Sequence, residues 1–173
     1  MLTPFDNTGE IDWKSLERLI EWYVQKGVNG LFANCQSSEI FFLSEAESIR
    51  LVHFVLDCAG GRLPVIASGH TACALSQQIE QLGRMAETGI DSLILISNRL
   101  AMPSEGDEVV LANLQRITAA LPESVKLGIY ECPYPYKRLL SDETIAWCAE
   151  SGRFTLIKDT CCRIDTIRRR AAL

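Results

Sequence analysis

Two side chains that could form a covalent intermediate stand at the ends of apolar runs in this sequence. Lys158 ends the run at 154–158, and Tyr130 ends a similar run at 125–130. A lysine buried at such a position is costly to keep charged, and its neutral amine can attack a carbonyl carbon. A nearby phenol can transfer the protons that carbinolamine formation and collapse require. The alternatives are a lysine that extends to water and a tyrosine that only fills the core.

These two runs belong to a series of five, at 30–35, 64–68, 92–97, 125–130 and 154–158, whose starts lie 28 to 34 residues apart. This spacing accommodates one strand and one helix per unit, and continuous apolar strands are typical of a parallel sheet covered by helices. A possible further strand precedes them at 1–3. The segments 26–31 and 88–93 also resemble each other and lie 62 residues apart. This distance equals two strand–helix units, so the sequence repeat spans two units.

Helix signals lie between the runs. An apolar stripe at 16–26 ends before Gly27, Ser44 and Glu47 form a capping box, and Ser141 precedes acidic residues as a helix N-cap would. Repeated units of this kind build either a (β/α)8 barrel or an open doubly wound sheet. The sequence has no glycine-rich phosphate loop, G-x-G-x-x-G or G-x-x-x-x-G-K-[ST], so we favour the barrel.

The 173 residues are fewer than the roughly 250 of a complete barrel. We therefore expect one domain, 1–173, that is an incomplete TIM barrel with about strands 1 to 6 and their helices. Such a sheet would have unpaired edges, which favours association. We further expect a truncated product or a partial sequence, and a soluble monomer that unfolds cooperatively would argue against this.

Period-two alternation assigns the faces of the last two strands. In the fourth run, Leu127 and Ile129 suit the helix side and leave Tyr130 inside. In the fifth run, alternation predicts that one face carries Phe154, Leu156 and Lys158. Neighbouring parallel strands lie about 4.8 Å apart, so Tyr130 and Lys158 could meet at the carboxyl edge of the sheet, where barrels carry their sites.

Composition excludes several classes of protein. The net charge is −5 and the only basic cluster lies at 163–170, which we interpret as a solvated helix face, with phosphate binding as the less favoured alternative. No nucleic-acid partner is therefore expected. No targeting segment or membrane span is recognisable, which indicates a cytoplasmic protein. The seven cysteines form no C-x-x-C pair, so reduced thiols are expected, and the spacing of cysteines and histidines predicts no metal site.

Several short motifs occur in one order along the whole chain, and together they resemble the dihydrodipicolinate synthase and N-acetylneuraminate lyase superfamily. They are T-P-F-D at 3–6, G-V-N-G-L at 27–31, S-E at 38–39 with L-S-E at 43–45, P-V-I-A at 64–67, G-I-D at 89–91, I-Y at 129–130 and I-K-D at 157–159. The resemblance implies a (β/α)8 barrel with Lys158 as the Schiff-base lysine and Tyr130 as the proton shuttle. It also implies pyruvate or another 2-keto acid as substrate, no metal or organic cofactor, and a homotetramer.

The loop at 35–39, C-Q-S-S-E, stands where the family binds the keto-acid carboxylate, normally as G-[ST]-T-G-E. The resemblance thus implies substrate binding by Gln36, Ser37 and Ser38, although Gln36 replaces a hydroxyl residue. Ser37 and nearby backbone N–H groups could hold a carboxylate. Glu39 is interpreted as an orienting hydrogen-bond acceptor.

Two departures concern the second substrate. The tyrosine that the family's synthases supply to a neighbouring subunit is absent, because residues 98–100 read N-R-L. Pro135 stands where the synthases have an arginine for the second carboxylate, and Lys137 or Arg138 could substitute only by turning inward. The segment 133–136, P-Y-P-Y, is aromatic and conformationally restricted, which suits either a pocket wall or a rigid loop.

The sequence therefore predicts a Schiff-base aldolase, lyase or dehydratase that acts on a 2-keto acid together with an aldehyde or a sugar acid. Dihydrodipicolinate synthase itself is disfavoured by the altered second-substrate residues. A catalytically inactive barrel fragment is the main alternative, since closing strands are partial or missing. An open-sheet binding module is a third alternative and would show a reversed strand order.

Overall fold

The computed structural model describes residues 1–173 as alternating helices and strands. The five strands are β1 (Leu31–Phe32), β2 (Val65–Ser68), β3 (Ser92–Ile96), β4 (Leu127–Tyr130) and β5 (Phe154–Lys158). The six α-helices are α1 (Trp13–Gln25), α2 (Glu45–Ala59), α3 (Leu75–Ala86), α4 (Asp107–Ala120), α5 (Asp142–Glu150) and α6 (Ile164–Arg170). Short 3₁₀ helices follow β1 at Gln36–Ser38 and β3 at Ser97–Arg99.

All five strands pair in parallel in one sheet, and their spatial order is β1-β2-β3-β4-β5. A doubly wound sheet would reverse its strand order at a switch point, and this sheet does not. Sequential parallel strands with helices between them form the arrangement of part of a (β/α)8 barrel. The predicted α/β class and barrel-like connectivity are confirmed, and the open-sheet alternative is wrong.

The segment at 1–3 forms no strand, so a count of six strands is not confirmed. It nevertheless lies beside β1, because the Met1 ammonium donates to the Phe32 carbonyl oxygen at 2.8 Å. The Met1 carbonyl oxygen accepts a hydrogen bond from the Ser38 hydroxyl, also at 2.8 Å. The start of the chain therefore packs on the loop that follows β1.

The helix boundaries follow the predicted signals. Ser44 and Glu47 form the expected capping box at α2, and the Ser141 hydroxyl accepts the Thr144 N–H at the start of α5. α1 begins earlier than predicted because the Asp12 carboxylate caps it by accepting the Ser15 N–H at 3.0 Å. Gly27, with φ of +72°, provides the left-handed residue that directs the chain away from α1.

The sheet divides the interior into two clusters. The larger cluster has 26 buried residues and lies between the sheet and the helices, with Leu127 and Ile129 among its members. The smaller one lies on the opposite, inner face and comprises Ile40, Ile94, Ile96, Tyr130 and Cys132. The predicted alternation of β4 is confirmed, because its aliphatic residues face the helices and Tyr130 faces inward.

Alternation fails at the start of β5. The register between β4 and β5 shifts at Leu127 and Gly128, which oppose Phe154 and Leu156 respectively, so Thr155 is an extra residue. Phe154 consequently packs in the helix-side core against Trp147, at 6.1 Å between ring centroids. The prediction that Phe154 shares a face with Leu156 and Lys158 is therefore wrong for Phe154.

β5 is the last strand of the sheet, and its outer edge pairs with no other strand. Ile157 is 38% exposed there, and the exposed Leu173 lines a surface pocket together with it. No helix of the chain combines the length and the apolar character that crossing a bilayer requires.

His70 joins β2 to β3 through a buried hydrogen-bond pair. Its Nε2 accepts the Ile96 N–H at 2.6 Å, so its Nδ1–H donates to the Gln78 Oε1 at 2.9 Å. The ring is fully buried, and this burial lowers the pKa of His70 from 6.5 to about 4. Protonation would place a positive charge in the core and remove the acceptor for Ile96.

We therefore expect acid to destabilise the fold through His70. The unfolded chain binds a proton near pH 6.5 and the folded chain near pH 4, so stability is full above pH 6.5 and decreases as the pH falls between these values. The loss from pH 7 to pH 5 should be about 2 kcal/mol. Urea unfolding at both pH values measures it. In His70→Asn, which cannot titrate, this component should vanish, and an unchanged pH dependence would contradict the assignment.

Candidate functional site

Tyr130 and Lys158 occupy paired positions at the carboxyl ends of β4 and β5. The Lys158 Nζ lies 4.2 Å from the centroid of the Tyr130 ring and 5.4 Å from that of Phe32. The expected meeting of the amine and the phenol ring is therefore present in the structure. Lys158 is exposed, as the alternative of a lysine that extends to water predicts, because β5 is an edge strand with water on its open side.

Tyr130 is buried, with 4% of its surface exposed, and its hydroxyl donates to the Gln36 Oε1 at 3.3 Å. Burial raises the pKa of Tyr130, and the neighbouring Cys132 thiol raises it further. The phenol is therefore protonated at neutral pH. It can donate a hydrogen bond or a proton toward an oxygen bound in front of Lys158.

The loop at 35–39 places its predicted residues differently. Gln36 and Ser37 line a cavity beside Lys158, but Ser38 does not. The Ser38 side chain is fully buried, and its hydroxyl lies 2.6 Å from the Ala33 carbonyl oxygen while accepting the Cys35 N–H at 3.2 Å. Ser38 therefore holds the loop together, which the sequence pattern alone could not distinguish from ligand binding.

The same loop contains the buried thiol of Cys35. Burial alone would raise the pKa of this thiol, but the Met1 ammonium, the hydroxyls of Ser37 and Ser38, and the Lys158 ammonium together lower it. The Cys35 Sγ lies 3.2 Å from the Ser37 Oγ. Several polar and charged groups around this loop thus stabilise the deprotonated form of the Cys35 thiol.

The cavity has a volume of about 320 Å³, and eight residues line it: Gln36, Ser37, Glu39, Phe41, Phe42, Tyr130, Tyr134 and Lys158. Both predicted catalytic residues and two of the three predicted substrate-binding residues are among them. Glu39, with φ of 67°, also faces the cavity. The sequence analysis missed Phe41 and Phe42, whose position in the apolar run 40–43 resembles core rather than a cavity wall.

The segment at 133–136 contributes one ring to this cavity. Tyr134 packs beside Phe41, with ring centroids 5.2 Å apart, so the predicted pocket wall is present for this residue. Tyr136 faces elsewhere and donates its hydroxyl to the Asn98 carbonyl oxygen at 2.7 Å. The Asn98 Nδ2 lies 2.6 to 2.8 Å from the carbonyl oxygens of Cys132, Tyr134 and Tyr136. Asn98 therefore fixes the loop that presents Tyr134, a role that the sequence did not reveal.

Neither candidate substitute for the missing arginine turns toward the cavity. Arg138 donates to the carbonyl oxygens of Met102 and Glu105, both at 2.7 Å, and Lys137 donates to the Thr160 carbonyl oxygen. Neither residue lines the cavity. Lys158 is therefore the only cationic side chain in its lining.

Arg170 connects the residues that follow Tyr130 and Lys158. Its guanidinium donates to Glu131 at 2.9 Å and to Asp159, while Glu131 also accepts the Thr160 N–H at 2.9 Å. The Arg170 side chain is 6% exposed and that of Glu131 is fully buried. The interpretation of 163–170 as a solvated face suits the exposed Arg168 but is wrong for Arg170.

The curled parallel sheet with interposed helices, and a lysine and a tyrosine at its carboxyl edge, define an α/β protein of the (β/α)-barrel type. The comparisons with known proteins specify the group: residues 1–111 match the dihydrodipicolinate synthetase family, and the chain belongs to it. This match ends before Tyr130 and Lys158.

The chain is similar to the 4-hydroxy-tetrahydrodipicolinate synthase of Nitrosococcus oceani, with 29% identity over 160 residues that cover 92% of the chain and 53% of the relative. Among solved structures, a dihydrodipicolinate synthase from Acinetobacter baumannii complexed with pyruvate is 28% identical, with a TM-score of 0.82, covering 93% of this chain and 54% of that one. A monomeric dihydrodipicolinate synthase variant has 22% identity and a TM-score of 0.87, covering 99% and 56%. The chain spans about half the length of these proteins.

Removing Arg170 should destabilise the fold strongly, because it would leave the buried Glu131 carboxylate without its cation. Arg170→Ala is expected to lower the free energy of unfolding by about 3 to 5 kcal/mol. Arg168→Ala is the matched control on the same helix, since its exposed pair with Asp165 should contribute about 0 to 1 kcal/mol. Urea unfolding compares the two.

A second substitution checks the cause. Glu131→Gln removes the buried charge, so adding it to Arg170→Ala should recover part of the lost stability. Equal effects of the two arginine substitutions, or no recovery in the double variant, would contradict the ion-pair account.

Proposed function

We propose that this chain carries the Schiff-base site of a lyase or aldolase that acts on pyruvate or another 2-keto acid. The observation that carries the proposal is the position of the Lys158 amine over the Tyr130 ring, in a cavity at the carboxyl edge of the sheet. The pyruvate complex of the Acinetobacter baumannii relative supports the substrate class.

In the proposed reaction, the neutral amine of Lys158 attacks the keto carbon of the 2-keto acid and forms a carbinolamine. The Tyr130 hydroxyl, held by Gln36, donates a proton to the oxygen that leaves as water. The carbinolamine nitrogen loses its remaining proton to the tyrosinate, which restores the phenol, and the imine remains on Lys158. The Ser37 hydroxyl and the Gln36 amide supply hydrogen-bond donors for the substrate carboxylate. Loss of a proton from the adjacent carbon then produces an enamine, which can form or break a C–C bond or support a dehydration.

Dihydrodipicolinate synthase activity itself is a second candidate, because the similar Acinetobacter baumannii protein carries this name. The cavity provides less support for it, since Lys137 and Arg138 face away and Lys158 is the only cation in the lining. A catalytically inactive protein is the other alternative, and the exposure of Lys158 on an unpaired strand edge favours it. The homotetramer stays a prediction.

Trapping the imine tests the proposal. Pyruvate with borohydride should attach a reduced pyruvate adduct to the chain, and peptide mass spectrometry should locate it at Lys158. Lys158→Ala should abolish the adduct. Lys26→Ala, which removes a lysine beside Trp22 on α1, should label normally. A folded chain that gives no adduct would support the inactive alternative instead.

Tyr130→Phe removes the phenol hydroxyl and keeps the aromatic ring, so it tests the role of the hydroxyl alone. This variant retains the aromatic face over which the amine lies, so trapping should still occur at Lys158. The rate of imine formation should fall by about 100-fold or more, the usual contribution of a general acid. Quenching the reaction at successive times measures that rate, and an unchanged rate would exclude the proposed role of the hydroxyl.

A further inference from the structure

Three aromatic rings form one side of the cavity around Lys158. Tyr134 lies between the other two, 5.2 Å from Phe41 and 6.3 Å from Phe42 as measured between ring centroids. Phe42 is 74% exposed and Tyr134 is 44% exposed. Large apolar side chains that cluster on the surface beside a cavity are typical of ligand-binding sites and of protein interaction sites.

The charges of the cavity restrict what could bind there. Its lining contains one basic side chain, Lys158, and one acidic side chain, Glu39. Lys158 would be consumed as the imine, which leaves Glu39 as the charged group nearest a second substrate. Arg99 lies over the Phe41 ring at 5.1 Å, but it lines the neighbouring cavity. After imine formation, a second carboxylate would thus meet one like charge and no cation among the side chains that line the cavity.

The volume of about 320 Å³ is near the lower end for small-molecule sites, which span about 300 to 1,000 Å³. It can hold a three-carbon keto acid and one ring. The aromatic side would contact that ring by edge or offset stacking, which is the geometry that such rings prefer.

We propose that the second substrate is an aromatic aldehyde without a carboxylate. This inference rests on the proposed function, since it concerns the partner of the Lys158 enamine. The enamine carbon derived from the keto acid attacks the aldehyde carbon, a C–C bond forms, and the aldehyde oxygen takes a proton to become a hydroxyl. Water then adds to the imine and releases the free lysine and a 4-hydroxy-2-oxo acid.

The test is a binding measurement that requires no reaction at Lys158. Benzyl alcohol and 4-hydroxybutyrate, the reduced forms of an aromatic and a carboxylated aldehyde, cannot form imines. Saturation-transfer NMR on the folded Lys158→Met variant, which lacks the cation as the imine-bearing chain would, should show benzyl alcohol binding at least about tenfold more tightly than 4-hydroxybutyrate. Tyr134→Ala and Phe42→Ala should each weaken benzyl alcohol binding about threefold to tenfold. Trp22→Ala, which removes an exposed ring on α1, should not change it.

The outcomes distinguish this inference from the proposed function. Benzyl alcohol binding without pyruvate trapping would support the aromatic site and overturn the Schiff-base proposal. Trapping combined with equal or tighter binding of 4-hydroxybutyrate would overturn the aromatic site alone. Light scattering could instead show a dimer that Phe42→Ala dissociates, with no binding of benzyl alcohol. That result would assign the rings to a contact between two copies of the chain and would also overturn the aromatic site.

Discussion

The buried ion pair between Arg170 and Glu131 is the interaction on which the arrangement of the site depends. Glu131 directly follows Tyr130, and Asp159, the second carboxylate on Arg170, directly follows Lys158. One guanidinium thus connects the ends of two adjacent strands to the last helix. The Thr160 N–H, which donates to Glu131, adds a direct link between the two strand ends. A change in this network would therefore alter the distance between the phenol and the amine, as well as stability.

The two faces of the sheet have different roles because side chains alternate along each strand. The helix-side face buries a continuous aliphatic core, so it determines stability. The inner face holds a small cluster around Tyr130, and the cavity opens at its carboxyl end. Gly128 shows how tightly the inner face is filled, since an added Cβ would lie 2.7 Å from the Ile94 Cδ1 and 2.9 Å from the Leu156 Cγ. Tyr130 and Lys158, at the carboxyl edge of the sheet, therefore lie next to a closely packed layer of inner-face side chains.

Sequence reasoning succeeded where a local pattern determines the outcome. The capping box at Ser44, the stop at Gly27 and the inward position of Tyr130 all follow from periodicity or from cap chemistry. It failed where a contact between distant segments decides. The bulge in β5 depends on how two strands pair, and the burial of Arg170 depends on Glu131, 39 residues away.

The candidate site shows the same division. Lys158, Tyr130 and Gln36 could be named from strand ends and motif order, and all three line the cavity or contact each other. Ser38 could not be separated from Ser37, because adjacent hydroxyls are equivalent in sequence and only the turn at 36–38 directs one inward to the Ala33 carbonyl oxygen. The role of Asn98 was hidden as well, since an amide that holds three carbonyl oxygens of another loop leaves no local signature.

The open edge of β5 connects the fold to the chemistry of the lysine. In the structure the Lys158 amine lies over two aromatic faces and is exposed to water. A nucleophilic amine has to be neutral, so the reaction requires something that removes water from this side of the cavity. A bound keto acid and an aromatic second substrate would both exclude water there, and a segment paired with the outer edge of β5 would exclude it permanently. Loss of water favours the neutral amine, because desolvation penalises an ammonium far more than an amine. The reactivity of Lys158 is therefore linked to what covers that strand, while its position over Tyr130 depends on Arg170 and the strand register.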